Sequence, residues 1–215
     1  MSFIIGLTGS IGTGKSEVVR FWRRQGIPIY SADETVASLY SGAIDAPDVQ
    51  SALEKLFPGS LTPTGAVNRS VLQKALSENG SLFSELEAIV HPFVRTMEDC
   101  FRCSPTVKHT GIGACEIPLL FETHGEERFD AIVVTTTTPD LQRKWVLDRP
   151  GMTESRFYAL KARQMDDALK RSRAHFIIDT SASYDATYAQ SRDVLRALSG
   201  RILYRTQQKD EACVL

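Results

Sequence analysis

Between an apolar run, Phe3-Ile4-Ile5-Gly6-Leu7-Thr8, and a helix-forming run, Glu17-Val18-Val19-Arg20-Phe21-Trp22, lies the stretch Gly9-Ser10-Ile11-Gly12-Thr13-Gly14-Lys15-Ser16. This is G-x-x-x-x-G-K-[ST] in the setting that the pattern requires: buried strand, glycine loop, helix N-terminus. The glycines let the backbone curl so that several N–H groups point into one concavity, where phosphate oxygens can sit. The helix N-terminus adds partial positive charge and unpaired donors. Lys15 can reach β- and γ-phosphates, and the Ser16 hydroxyl can ligate Mg²⁺. The stretch therefore predicts a nucleoside triphosphate site, with Ile11, Gly12, Thr13, Gly14, Lys15, Ser16 and Glu17 around it.

A chain of 215 residues suits one α/β domain with room for an insertion. A net charge of −1 gives no global field for nucleic acid or an acidic membrane surface. No apolar run approaches the ~20 residues of a membrane span, and the N-terminus lacks a basic-then-apolar leader. A cytoplasmic protein without nucleic-acid or membrane partners is expected. Four cysteines do not make a disulfide framework at this size. Cys100 and Cys103 form a lone C-x-x-C within a helical stretch, and no second pair at zinc-ligand spacing follows. They read as two cysteines on one helical face.

Short apolar runs at 3–8, 27–30, 111–117, 130–136 and 174–178 alternate with helical stretches, which predicts a five-stranded parallel sheet flanked by helices. The excursion over 33–108 is far longer than the ~10–12 residues that a crossover needs. Helical patterns at 48–57, 69–77 and 81–103 make it a helical insertion suited to a second substrate, with the last helix bending or breaking near Pro92. Helices are predicted at 139–149 and 153–173, divided by Arg149-Pro150-Gly151, and a final one at 184–199. Residues 143–173 carry nine Lys or Arg against four acids. Most of these read as solvated faces, but a basic helix pair on a Pro-Gly hinge also suits a phosphate-clamping lid over about 139–173. A single domain over 1–205 is expected, with a polar, frayed tail over 206–215.

Three classes of protein use such a loop. A regulatory GTPase needs a guanine-reading Asn-Lys-x-Asp after a strand, which is absent from the sequence. A motor or transporter ATPase carries further signature motifs, and none is evident. A small-molecule kinase needs the loop, an acid after the second strand, a substrate subdomain and an arginine lid, and each has a candidate here. The acid is Asp33, whose carboxylate would orient and deprotonate an acceptor hydroxyl. Its position also suits an N-cap for a helix starting at Glu34.

From Ile4 to about Leu198 the chain resembles the dephospho-CoA kinase family. The resemblance rests on Leu7-Thr8-Gly9 through Ser16, Ala32-Asp33, Gly65-Ala66-Val67-Asn68-Arg69 with Leu72, and Leu86 to Pro92. It continues through Glu116-Ile117-Pro118-Leu119-Leu120-Phe121-Glu122, the positions Gln142, Arg149, Gln164 and Lys170, and Ile178-Asp179. The resemblance implies transfer of the ATP γ-phosphoryl group to the 3′-hydroxyl of dephospho-CoA, with Mg²⁺. It implies Gly12 to Ser16 on the phosphates, Ser16 on Mg²⁺, Asp33 as base and Arg149 closing over the transferring group. Pro118, Leu119, Leu120 and Glu122 would line the acceptor side, with Arg69 and His91 in the helical insertion that receives it. For His91, a bond to a carbonyl freed by Pro92 is the alternative. Other small-molecule acceptors (a nucleoside monophosphate or a sugar-like alcohol) and a nucleotide-binding regulator without turnover are the competing readings.

The chain departs from the family pattern at several places. Ser10 replaces a common glycine, Glu17 a threonine, and Ser31 the first acid of Asp-Ala-Asp. Glu116 stands for an aspartate and, one methylene longer, would shift a Mg²⁺-bound water. Trp145 replaces an arginine, a charge that Arg143 or Lys144 would have to supply. His175 replaces an aspartate before the last strand. Lys15, Ser16, Asp33 and Arg149 are intact, so an active enzyme is expected.

Overall fold

Every residue of β1 (Phe3–Thr8) is buried, which is why the strand reads as an unbroken apolar run rather than as an alternation. The computed structural model describes residues 2–212, and the side chains of residues 2–200. After β1 come α1 (Lys15–Arg24) and β2 (Ile29–Ser31), then α2 (Ala32–Tyr40), α3 (Pro47–Leu56), α4 (Arg69–Glu78) and α5 (Leu82–Arg102). The chain continues through α6 (Pro105–Thr110), β3 (Ile112–Glu116), β4 (Ala131–Thr136), α7 (Pro139–Leu147), α8 (Glu154–Ala162) and α9 (Asp167–Ser172). It closes with β5 (Phe176–Asp179) and α10 (Tyr184–Ala212).

The five strands form one parallel sheet in the order β2-β3-β1-β4-β5. With β1 central, successive connections run first to one side of it and then to the other. The C-terminal end of β1 therefore lies at the topological switch point, where open α/β sheets bind ligands. On one face Phe3, Ile5, Leu7, Ala131 and Val133 pack with Val18 and Trp22 of α1 and Val194 and Leu198 of α10. On the other, Gly6 lets the β3–β4 connection lie against the strand. A Cβ there would stand 2.8 Å from Leu120 Cδ1 and 2.9 Å from Phe129 Cγ.

Residues Ser31–Cys103 form a second compact unit. Its core gathers Leu53, Phe57, Val67, Leu72 and Val90, and α5 packs on α2, α3 and α4. The Pro58-Gly59 turn is tied to α3, because Glu54 accepts hydrogen bonds from Gly59 N (2.7 Å) and Leu61 N (2.8 Å). Those backbone donors hold the Glu54 carboxyl below its ordinary range.

Several expectations are narrowed or corrected. Of the bend or break expected near Pro92, the break does not occur: α5 is one continuous helix. A helical proline costs about 3 kcal/mol, but Leu86, Ile89, Val90 and Val94 on both sides of it are held in the same core, each worth up to ~1.5–3 kcal/mol if fully buried. The helix expected over 153–173 is two helices, because Asp166 caps α9 by accepting from Ala168 N (2.9 Å). The cap of α2 is Ser31, which accepts from Glu34 N, and Asp33 lies inside the first turn. The last helix runs on from 199 to Ala212, so the tail expected at 206–215 is helical as far as 212. Its side chains and residues 213–215 lie outside the described residues. Cys100 lies within α5 and Cys103 caps it, both exposed. Among the described residues no three His, Cys, Asp or Glu gather at metal-binding distance. None of the helices there is long and apolar enough to cross a membrane.

The start of β5 explains one departure from the family pattern. His175 N–H donates to Ile132 O (2.9 Å), and His175 Nδ1 accepts from Ile132 N (3.1 Å). Nδ1 is bonded to Cγ as an aspartate Oδ is, so histidine offers an acceptor at the same reach. His175→Asn should melt within about 2 °C of the parent. His175→Leu should lose about 1 kcal/mol, or roughly 2–4 °C at this chain length. Thermal unfolding of both variants checks this, and a His175→Leu protein as stable as the parent would refute it.

Candidate active site

The phosphate loop is held in shape by three glycines with positive φ: Gly9 (152°), Gly12 (74°) and Gly14 (79°). Its surroundings leave them no room for a side chain. A Cβ on Gly9 would strike Thr135 Oγ1 and stand 2.6 Å from Thr135 O. One on Gly12 would strike Val146 Cγ2, and one on Gly14 would stand 3.0 Å from Thr180 Cγ2. Gly14 is also the N-cap of α1, which has no side-chain cap. Gly14 thus brings no side-chain acceptor of its own to the first N–H groups of the helix, an arrangement that suits a helix terminus that takes an anion.

Buried threonines latch the loop to the sheet. Thr13 Oγ1 lies 2.8 Å from both Ser10 O and Thr135 Oγ1. Thr180 Oγ1 lies 3.1 Å from Thr13 O and 3.0 Å from Thr136 O. At the loop tip, two glutamines grip one residue. Gln142 Nε2 of α7 donates to Ile11 O (2.8 Å), and Ile11 N donates to Gln164 Oε1 (2.8 Å). Lys15 Nζ donates to Gly9 O (2.7 Å) and Ser10 O (3.1 Å), so its ammonium rests on the loop it serves. Ser16 is exposed in the first turn of α1. Glu17 is turned aside, with Arg20 Nη1 at 3.1 Å and the Tyr188 hydroxyl at 3.4 Å from its Oε2.

Sequence reasoning missed Thr135 and Thr180. For Thr135 the available signal was four consecutive threonines, Thr135 to Thr138, at the end of an otherwise apolar strand; for Thr180 there was none of this kind. Strand ends at a switch point face the site, and hydroxyls there need partners.

Glu116 ends β3 in register with Leu7, and Pro118 O accepts from Thr8 Oγ1 (3.2 Å). These contacts bring both residues to the root of the loop. Pro118 and Leu119 are half-buried. Leu120 is withdrawn from the acceptor-lining set, because its side chain is fully buried against Gly6. Glu122 is engaged as well: Met165 N donates to its Oε1 (2.8 Å), and Lys170 Nζ lies 2.8 Å from the same oxygen. Lys170, counted in sequence among the basic helix-face residues, is wholly buried.

Arg149 is exposed in the turn after α7, where its N–H donates to Val146 O (3.1 Å) and its carbonyl accepts from Met152 N (3.2 Å). Arg143 pairs with Glu154 and ties α7 to α8, so its charge is spoken for. Asp33, Arg69 and His91 belong to the unit Ser31–Cys103, and all three are exposed there. Arg69 stacks over the Tyr40 ring with 5.6 Å to the centroid. Burial raises the Tyr40 hydroxyl above its ordinary pKa, and the Arg69 charge partly offsets this.

The loop geometry yields a test. Gly12→Ala would place a side chain in left-handed backbone, at about 1–2 kcal/mol, and drive it into Val146. ATP affinity should fall at least ~10-fold by direct titration, and Val146→Ala should restore only part of it. An affinity within twofold of the parent would overturn the close fit of the loop on α7.

Known proteins resemble this chain over most of its length. The dephospho-CoA kinase family model matches residues 3–186. A dephospho-CoA kinase of Brucella melitensis is 44% identical over 198 residues, covering 92% of this chain and 96% of that protein. One from Rhodopseudomonas palustris is 41% identical over 90% of this chain and 94% of its own length. Among solved structures, TT1252 from Thermus thermophilus superposes with a TM-score of 0.74 at 28% identity, covering 91% of this chain and 97% of that one. A dephospho-CoA kinase from Campylobacter jejuni has a TM-score of 0.68 at 23% identity over 93% of this chain and 98% of its own, a likeness of fold. With the family pattern matched from the first strand to the start of the last helix, this chain belongs to the dephospho-CoA kinase family.

Proposed function

We infer that this chain transfers the γ-phosphoryl group of ATP to dephospho-CoA, the closing phosphorylation of coenzyme A synthesis, in the cytoplasm. The observation that carries the reading is the phosphate loop at the switch point, built from Gly9 to Ser16 and gripped at Ile11 by Gln142 and Gln164, in a chain of this family. The backbone donors of the loop and Lys15 hold the β- and γ-phosphates and stabilise the charge that shifts as the phosphoryl group moves. The acceptor 3′-hydroxyl oxygen bonds to the γ-phosphorus as the bond to the β,γ-bridging oxygen breaks. ADP leaves, and the hydroxyl proton passes to the Asp33 carboxylate. Arg149, on the turn after α7, closes over the transferring group and neutralises its equatorial oxygens.

Mg²⁺ fits the donors available. The exposed Ser16 hydroxyl at the start of α1 and the Glu116 carboxylate at the end of β3 are hard oxygen ligands, Glu116 acting through water. Bound there with ATP, the ion would neutralise charge on the β- and γ-phosphate oxygens. Pro118 and Leu119 are the members of the Pro-Leu-Leu string left to line the acceptor side, and Arg69 and His91 are proposed to meet the acceptor from the helical unit. ADP release with dephospho-CoA, against AMP, shikimate and gluconate, tests the acceptor. Turnover confined to dephospho-CoA is expected, and preference for another acceptor would overturn the reading.

Two variants test the roles. Since Ser31 caps α2, Asp33→Asn forfeits only a favourable first-turn charge, about 0.3–1 kcal/mol, and should melt within a few degrees of the parent. It should bind ATP normally and turn over at least ~100-fold more slowly. A stable Asp33→Asn protein with near-parental kcat would send the search for a base to Glu116. Arg149→Ala should lower kcat by ~10³-fold or more. An effect on the KM for ATP alone would make Arg149 a binding residue.

A further inference from the structure

Lys170 and Glu122 form a buried ion pair that no step of the reaction uses. The Lys170 side chain is wholly buried and that of Glu122 is 16% exposed. Removing two charges from water is costly unless they are paired and hydrogen-bonded, and this pair is only partly so. Lys170 Nζ stands 2.8 Å from Glu122 Oε1 as an ion pair, and among the described residues neither Lys170 Nζ nor Glu122 Oε2 has a hydrogen-bond partner. Two apolar residues of similar volume would serve stability as well. The pair therefore calls for an explanation other than stability.

Its surroundings supply one. Glu122 Oε1 also accepts from Met165 N at 2.8 Å. The preceding residue, Gln164, accepts from Ile11 N in the phosphate loop at 2.8 Å. Both residues lie in the short segment between α8 and α9. Gln164 N–H donates to Lys161 O at the end of α8 (3.0 Å), and Glu122 supplies the next anchor, one residue on at Met165. Without that second anchor the Gln164 side chain would be held to the loop less firmly. One turn away on α9, Asp167 Oδ2 accepts from Thr136 Oγ1 (2.7 Å), and Thr136 O lies 3.0 Å from Thr180 Oγ1, which also reaches Thr13 O. The stretch from Gln164 to Asp167 is thus tied to the loop at Ile11 and, through Thr136 and Thr180, at Thr13, and the buried pair holds it in place.

We propose that Glu122 and Lys170 are positioning residues for ATP: the pair fixes the segment 164–165, and through Gln164 it sets the Ile11 N–H and the tip of the phosphate loop. This assigns Glu122 to the nucleotide side of the reaction rather than to the acceptor side. The inference rests on the ATP-dependent reading above. ATP binding and turnover by the parent are measured first, and their absence would overturn both.

The test is a double-mutant cycle between Glu122→Gln and Gln164→Ala, read as the KM and Kd for ATP, the KM for dephospho-CoA and kcat. Each single variant should raise the ATP constants about 10-fold and leave the KM for dephospho-CoA within twofold. The double variant should be no worse than the worse single one, because both act through one contact. Should Glu122→Gln fail to fold with Lys170 left unpaired, Glu122→Met with Lys170→Met removes both charges at similar volume. That protein should fold and still bind ATP about 10-fold more weakly. Multiplicative effects in the double variant, unchanged ATP constants in the Met pair, or a rise confined to the KM for dephospho-CoA would each overturn the proposal.

Discussion

The absence of side chains along one face of a loop is the constraint on which the rest of this structure depends. Gly9, Gly12 and Gly14 adopt backbone angles that L side chains avoid. At each of them the space a Cβ would need is filled by Thr135, Val146 or Thr180. Those neighbours come from β4, from α7 and from the turn after β5, so three distant segments close on one loop. The loop thus gains its shape from its surroundings, as a phosphate cradle must if its donors are to be placed before the ligand arrives.

Polar groups at the ends of apolar strands do the fastening. The buried residues of β1 and β4 include Thr8, Thr135 and Thr136, which stand where the strands meet the loop. Thr135 finds Thr13 in the loop, Thr136 finds Asp167 of α9 and Thr180 after β5, and Thr8 finds Pro118 after β3. Charge is used sparingly and locally. The net charge of −1 says little about a site in which one lysine lies on the loop and another is buried against Glu122. Coulombic effects are strongest where water is excluded, so the position of each charge matters more than their sum.

Three of the departures from the family pattern, at Ser31, His175 and Glu17, find partners in the structure. Ser31 supplies a cap oxygen to Glu34 N where the family has an aspartate, and both are good capping residues. His175 supplies an acceptor to Ile132 N. Glu17 finds Arg20 and Tyr188, and Tyr188 in turn stacks on Phe21 with ring centroids 5.0 Å apart. Nothing in the structure explains the tryptophan at 145.

The sequence by itself determined the parallel sheet, its five strands and the phosphate loop, because these depend on short-range patterns. A strand buried on both faces must be apolar throughout, and a loop that curls around phosphate must have glycine where φ is positive. The continuity of α5 through Pro92 was decided by tertiary structure, a shared core on both sides of the proline. The break near Gln164 has a local part, the Asp166 cap of α9, and a distant one, the bonds that Glu122 and Ile11 make with Met165 and Gln164. The same holds for Lys170. A sequence offers a basic helix as a solvated face, and only the packing of α9 against β4, with an acid from another connection at 2.8 Å, made that lysine an interior group. Pairing between residues 48 positions apart leaves no local trace, because it follows from chain closure and not from periodicity.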